Sequence, residues 1–385
     1  MWWNIPITKR RCIVLLGIGH TNAEIVRRWI DSPIPNCRLV CISKFPFTTY
    51  SGMLPGTLAN QFAIDEMQIP LGPLAKKAAA ELILDECIGL DVDARVLHFA
   101  NHDPVAFDAL SIGIGSMPAG WDQHESPSLV PVKPMQTFIE RLSRRVVQSR
   151  EADGRDTDDR IPKIVVVGGG VAGVEIAFCV HTRMKQLFPK RSVSIEIVTS
   201  GEQIADGMSS RSIQQLRRLL SRRSINVTTD FRVDEVTEDE VIDEDGNGRR
   251  ADVVLWATGA AAPPLLGSLN LPTDDRGFLL TDNTLRTTTG APIFAVGDSG
   301  TIESEHTPKA GVFAVRQAPV LWQNLVATLN RTTLSRYTPQ NEFLRILNTG
   351  DDKALLQYKG YSFHAGWCWQ LKRWIDKRFI QQYQV

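Results

Sequence analysis

Ile164-Val-Val-Val-Gly-Gly-Gly-Val-Ala-Gly-Val-Glu-Ile-Ala177 is a run of β-branched residues, a glycine turn and an apolar stretch with helical spacing. A strand ending in such a turn, followed at once by a helix, lets backbone amides approach a pyrophosphate at the helix N-terminus. One such fingerprint is weak evidence. The chain carries a second, earlier one, Gly17-Ile-Gly-His-Thr-Asn-Ala-Glu24, which follows the apolar run Arg11–Leu16. Two fingerprints imply two dinucleotides on one protein, and two redox dinucleotides together imply electron transfer between them.

The same plan continues beyond each turn. Asp108-Ala-Leu-Ser-Ile-Gly-Ile-Gly-Ser-Met-Pro118 follows the first fingerprint, and Ala251-Asp-Val-Val-Leu-Trp-Ala-Thr-Gly-Ala260 follows the second. Each is an aspartate, an apolar strand, a small residue and a glycine. In the second copy, Val227–Val233 and Glu235–Ile242 alternate, and Asp245-Gly-Asn-Gly248 offers turn chemistry, predicting a β-hairpin. A later strand, Ile293-Phe-Ala-Val-Gly-Asp298, returns to the first sheet. The order predicts an α/β fold of two Rossmann-like dinucleotide-binding domains, the second inserted in the first, plus a small C-terminal region. The expected bounds are 1–150 and 271–335 for the first domain, 151–270 for the second, and 336–385 for the C-terminal region. The polar stretch Gln148–Arg160 marks the outward crossing and Leu271–Thr289 the return.

Composition is permissive. With 385 residues the chain can bury several cores, and 43 basic residues against 43 acidic ones create no global field to recruit nucleic acid. The six cysteines show no regular framework, which points to a free-thiol, intracellular, cytoplasmic protein. Met1–Arg11 lacks the apolar core of a secretory signal. Ile164–Val180 is apolar but contains Glu175 and several glycines, so it reads as buried strand, turn and helix rather than a membrane span. No metal site is expected.

These motifs resemble the pyridine-nucleotide-dependent flavoproteins over nearly the whole chain. Within them the resemblance is to type II NADH dehydrogenases and, through Thr48–Gly56, Pro131–Met135, Thr307–Gln317 and the Trp-rich tail, to the flavoprotein module fused to selenide-water dikinases. The resemblance implies FAD in the first domain and NADH or NADPH in the second. It sets Gly17, Gly19 and His20 at the FAD pyrophosphate, and Ser43 and Lys44 beside the adenosine ribose. Gly115, Gly297, Asp298, Gly311 and Val312 fall on the flavin side. Gly168, Gly170 and Gly173 would cradle the nicotinamide dinucleotide's phosphates, with Gly259 along its passage and Glu175 near the nicotinamide.

Three departures from the family pattern stand out. Asn22 replaces the third glycine of the first fingerprint, so helix and strand are expected to pack less closely there. Strand Arg38–Ser43 ends in serine rather than the usual acid. Val193–Val198 is followed by Thr199-Ser200, with neither acid nor arginine. That leaves NADH or NADPH open, with a lean to NADH because no cation meets a 2′-phosphate.

Thr307-Pro-Lys-Ala-Gly-Val312 reads as a helix start whose amides face the flavin, and Lys309 would add a full charge or else be a solvated loop lysine. Lys309 and Glu175 are the candidate catalytic residues, with an N-terminal cap the alternative for Glu175. Asp298 suits ribityl hydroxyls, an ordinary turn aspartate being the alternative. Lys133 reads either as a hinge residue or as a cation near the flavin edge.

No closely spaced cysteine pair follows the second strand, and Cys37 and Cys41 are too far apart along a strand to bond. The acceptor is then one that meets the flavin directly: a quinone, oxygen or a small oxidant. In the tail, Trp367, Leu371, Trp374, Ile375 and Phe379 share one helical face, and Lys372, Arg373, Asp376 and Lys377 another. That amphipathic helix suits peripheral attachment to the inner face of a membrane, or packing on the protein itself or on a partner subunit such as a second copy. A redox-responsive FAD/NADH-binding protein and a flavoprotein of selenium metabolism remain as alternatives to a dehydrogenase.

Overall fold

A computed structural model describes residues 10–151, 161–305 and 307–384. Two five-stranded parallel sheets organise it, alike in the order of four strands and different in where the fifth, edge strand comes from in the chain. In the first sheet the order is Ile293–Ala295, Ala109–Ile112, Arg11–Leu16, Cys37–Ser43 and Glu81–Leu84. In the second it is Leu129–Pro131, Val253–Trp256, Ile164–Val167, Ile195–Val198 and Ile225–Thr228. The central strands are buried along almost their whole length because both faces of each sheet are covered, one by helices and the other by an antiparallel meander. Four helices matter to the site: α1 (His20–Asp31), α2 (Val171–Leu187), α3 (Gly311–Asn330) and α4 (Gly366–Ile380).

Several local expectations change. The second sheet draws its edge strand from Leu129–Pro131, ahead of the segment 151–270, so the chain enters the second half well before the polar stretch ending at Arg160. Of that stretch, residues 152–160 lie outside the described residues, as do residues 1–9 of the Met1–Arg11 segment. Met117–Pro118 pairs with Ala260–Ala261, so the outgoing and returning crossings run side by side.

The segment Val227–Val233 is not one strand. Asp230 adopts a positive φ of 55° and turns the chain, leaving Val227 in the parallel sheet and Val233 in a three-stranded antiparallel meander. The first half carries a matching meander, Cys87–Asp91, Val96–Phe99 and Val105–Ala106. Helix α3 begins at Gly311 rather than at Thr307, because Lys309 is turned back to hold the Gly300 carbonyl and Ala310 is extended.

The C-terminal region is an antiparallel sheet, Arg345–Asn348, Ala354–Tyr358 and Tyr361–Ala365, followed by α4. The helix packs on the protein's own body, one of the expected settings, and does so with polar as well as apolar residues. Lys372 and Asp376 are buried, whereas Trp367 and Trp374 are exposed and Phe379 stacks on Tyr50 at 4.5 Å between ring centroids. Buried charge is tolerable because it is paired. Lys372 Nζ lies 3.0 Å from Asp376 Oδ2 and donates to the Gly52 carbonyl at 2.8 Å, while Tyr50 OH donates to Asp376 Oδ1 at 3.1 Å. Among the described residues no helix is long and apolar enough to cross a membrane, and Ile164–Val180 is indeed strand, turn and helix.

Candidate dinucleotide and active-site cleft

The two glycine turns achieve one geometry by different means. In the second, Gly168 has φ +122°, and a Cβ built on Gly173 would lie 1.9 Å from the Gly168 carbonyl oxygen. Only glycine lets α2 sit that close to its strand. In the first, Gly17 has φ +78°, and a Cβ there would meet the Gly113 oxygen at 2.8 Å. Asn22 does not loosen the packing, contrary to expectation. It is fully buried, Nδ2 donates to the Gly17 carbonyl at 2.7 Å, and Oδ1 accepts from Ser111 Oγ at 2.7 Å. A hydrogen-bonded amide replaces the missing close contact.

Both α1 and α2 start on a glycine N-cap, Gly19 and Gly170, with no side-chain cap bond and no acid in the first turn. Helix α3 starts on Ala310, also without a side-chain cap. By contrast, the surface helix Ser210–Arg222 is capped by the Ser209 hydroxyl. Uncapped N-terminal amides with glycine in front are what an anionic phosphate needs, so the residues fit FAD at α1 and a nicotinamide dinucleotide at α2. No atom lies within 4 Å of a Cβ built on Gly170, Gly115 or Gly259, which leaves room before each turn.

A cleft of about 740 Å³ runs between the halves. Its lining brings together Gly168, Gly170, Gly259, Asp298, Lys133 and Lys309. Asp298 Oδ2 accepts from Ser116 Oγ at 2.7 Å, Ser116 Oγ accepts from Lys133 Nζ at 2.6 Å, and Lys133 stands 3.5 Å from Asp298. Lys133 is therefore a cation of the cleft.

Lys309 is not a solvated loop lysine. Its ammonium donates to the Gly300 carbonyl at 2.6 Å and to Thr301 Oγ1 at 2.9 Å, and lies 4.0 Å over the Phe278 ring. Burial pulls it down to about 8, partly offset by Asp298 and Asp274.

The remaining candidates distribute unevenly. His20 opens α1, with Nε2 3.4 Å from Ser51 Oγ and its ring edge-on to Tyr50. Burial lowers it to about 4, so its imidazole is neutral at pH 7. A Cβ on Gly311 would lie 3.9 Å from His20 Nε2, so Gly311 and the adjoining Val312 meet α1 at its first turn. Gly297, with φ +61°, donates its N–H to Gln317 Oε1 at 2.7 Å, and Thr21 Oγ1 ties α1 to the Ala314 carbonyl. Gly115 N accepts no such role; it donates to Ser299 Oγ at 3.0 Å. Ser43 and Lys44 lie at the end of their strand, Ser43 bonded to the Phe45 carbonyl and Lys44 to Glu86.

Glu175 is neither a cap nor part of the cleft lining. Its Oε1 accepts the Asn348 N–H at 2.8 Å, turning the carboxylate toward the C-terminal sheet. Burial raises it to about 7, with Lys372 and the Asn348 N–H pulling the other way. Arg232, which lines the cleft beside Ser200, was not singled out from the sequence. It follows a turn some thirty residues after the strand it serves, and no local pattern marks it.

Comparison with known proteins agrees with this geometry. The family model described as pyridine nucleotide-disulphide oxidoreductase matches residues 14–318. Demethylphylloquinone reductase NdbB of Synechocystis is 28% identical over 293 residues, covering 71% of this chain and 68% of that protein. External alternative NAD(P)H-ubiquinone oxidoreductase B1, mitochondrial, of Solanum tuberosum is 23% identical over 78% of this chain. The chain spans only 57% of that relative's length. Among solved structures, the sulfide:quinone oxidoreductase of Aquifex aeolicus superposes with a TM-score of 0.78 at 18% identity, covering 97% of this chain and 91% of its own. NDH2 from Plasmodium falciparum in complex with NADH gives 0.75 at 14% identity, covering 97% and 99%. At these identities the structural likeness speaks for the fold.

Proposed function

The chain belongs to the pyridine nucleotide-disulphide oxidoreductase family, and on that premise we propose that it passes a hydride from NADH or NADPH to FAD and then electrons to a quinone-like acceptor. The observation that carries this reading is the pair of uncapped, glycine-fronted helices α1 and α2, the turn before α2 lining one cleft with Asp298 and Lys309 of the first half. When bound, the nicotinamide and flavin rings supply the donor and acceptor of the hydride.

The protein's part is placement and charge. Gly168 and Gly170 hold the nicotinamide dinucleotide's phosphates on α2 amides, and Gly17 and Gly19 hold those of FAD on α1. Asp298, fixed by Ser116 and Lys133, takes sugar hydroxyls. The N-terminus of α3, with Lys309 just before it, places positive potential where negative charge develops on reduction. Glu175 we assign to anchoring the C-terminal region, together with Lys372 and Asp376.

The acceptor reading has two supports. All six cysteines are buried and free, and none lines the cleft, so a thiol relay has no members there. The relatives named above are reductases of quinones by their printed names. A membrane-facing surface suits a lipid-soluble acceptor. Tyr361, Phe363, Trp367 and Trp374 are 67, 47, 54 and 59% exposed, with Arg378 over the Trp374 ring. Aromatic rings mixed with cations favour the headgroup layer of a bilayer.

The test is anaerobic stopped-flow reduction of the flavin-loaded protein, followed by turnover with a short-chain quinone. Flavin bleaching within seconds and quinone-dependent reoxidation are expected. A complex that forms but reoxidises slowly with every acceptor would instead mark a redox-responsive binding protein. Trp367→Ser/Trp374→Ser should lower binding to anionic vesicles at least tenfold while leaving flavin bleaching unchanged.

A further inference from the structure

We infer that the adenosine end of the cleft is built for a 2′-phosphorylated dinucleotide, with Arg232 as the residue that selects NADPH over NADH. This rests on the oxidoreductase reading above.

The strand Ile195–Val198 ends at the point where the adenosine ribose of a dinucleotide on α2 must lie, because it neighbours Ile164–Val167 in the sheet and precedes Thr199 and Ser200. An enzyme selecting NADH places a carboxylate there, to accept both ribose hydroxyls and repel a phosphate. Here the position holds Thr199, packed so tightly on the glycine turn that a Cβ built on Gly169 would meet its Oγ1 at 2.7 Å. Ser200 beyond it is exposed and lines the cleft with a hydroxyl. Among the described residues of the lining, Asp298 is the one carboxylate, and it stands at the flavin end with Ser116 and Lys133.

A cation is supplied from elsewhere in the chain. The turn at Asp230 is closed by hydrogen bonds from Asp230 N to the Gly201 carbonyl and from Phe231 N to the Thr199 carbonyl, at 3.2 and 2.9 Å. Those bonds set Arg232 directly beside the Thr199–Gly201 loop, where it joins Ser200 in the lining. Its one ion-pair partner among the described residues, Glu244, is 3.6 Å from Nε, and both side chains are about two-thirds exposed. Such a pair is weak, so the guanidinium can turn to a better acceptor. Glu202 and Asp230 are exposed nearby but do not enter the lining. A planar guanidinium with a neighbouring hydroxyl matches a phosphate monoester, and nothing in that corner accepts from a bare 2′-hydroxyl as a carboxylate would.

The experiment titrates the flavin-loaded protein calorimetrically with 2′,5′-ADP and with 5′-AMP, in the wild type and in Arg232→Glu. The wild type should bind 2′,5′-ADP about 10- to 100-fold more tightly. Arg232→Glu should erase that preference while leaving 5′-AMP within about twofold of wild type, which a merely unfolded variant could not do. Equal affinity for the two nucleotides in the wild type, or equal weakening of both by the substitution, overturns the inference. NADH and NADPH are then compared in flavin bleaching. NADPH should act at a lower concentration. Bleaching by NADH alone overturns this inference and leaves the oxidoreductase reading intact, whereas failure of both dinucleotides to bind overturns that reading and this inference with it.

Discussion

Glu24 and Glu175 occupy the same place in the two halves, each seven residues after the first glycine of its turn and each facing the C-terminal region. Their electrostatics are opposite. Glu24 is bonded by Arg27, Arg28 and the Tyr383 hydroxyl, which outweigh burial and hold it below the usual carboxylate range. Glu175 is deeper, has one backbone donor, and is raised to about 7 by burial despite Lys372. The glycine turns diverge in the same manner: the first is held by the side chain of Asn22, the second by the absence of one at Gly173. Repeating a plan fixes positions of backbone; it does not fix the means by which each position is stabilised.

The contrast breaks most visibly at Gly173. Gly173→Ala puts a methyl against the Gly168 backbone, which cannot yield cheaply. About 3 kcal/mol of stability should be lost, with weaker binding of the nicotinamide dinucleotide and unaltered FAD content. Urea unfolding and nucleotide titration measure the two effects. Asn22→Ala attacks the other turn by removing bonds rather than adding bulk. It leaves the Ser111 hydroxyl and Gly17 carbonyl short of a partner and should cost about 2 kcal/mol, with loss of FAD but not of nicotinamide dinucleotide binding. If each substitution released both cofactors equally, the two turns would not be independent sites.

The smallest effect sharpens the glutamate pair. A carboxyl raised in the folded state contributes stability that is fully present below its unfolded value, near pH 4.5, and lost as pH rises through about 7. Glu175→Gln should remove that loss, raising the thermal midpoint at pH 8 relative to pH 5 by about 2–4 °C against wild type. Glu24 is lowered, so its contribution is present at neutral pH and lost as pH falls below about 4.5. Glu24→Gln should therefore weaken the protein near neutral pH and have little effect in acid. Matching pH profiles for the two variants would erase the distinction.

Both glycine turns and both parallel sheets were legible in the sequence because a strand, a turn and a helix are contiguous there. What was not legible depends on partners far along the chain. Asn22 is paired with Ser111, and only that distant hydroxyl explains why an amide packs well where glycine is usual. Arg232 reaches the cleft through a turn closed on Thr199 and Gly201. The tail helix reads as presenting its aromatic face to a membrane or to the protein's own body, and which polar residues turn inward depends on Gly52, Tyr50 and Glu175, which receive Lys372 and Asp376 from far along the chain. Leu129–Pro131 is too short to announce itself as a strand of the second sheet.

The C-terminal segment has its sheet on the second half, through Asn348 on Glu175 and Gln357 on Ser209, and its helix on the first, through Lys372 on Gly52 and Tyr383 on Glu24. During synthesis both halves leave the ribosome before this brace exists. Before it docks, the halves meet at the paired crossings Met117–Pro118 and Ala260–Ala261 and where Leu54–Leu58 packs on α2, with Asn60 bonded to Gln186 and Arg183. Residues 345–384 thus add a second clamp, bonded to both halves, to the spacing that this packing already sets between the two nucleotide sites.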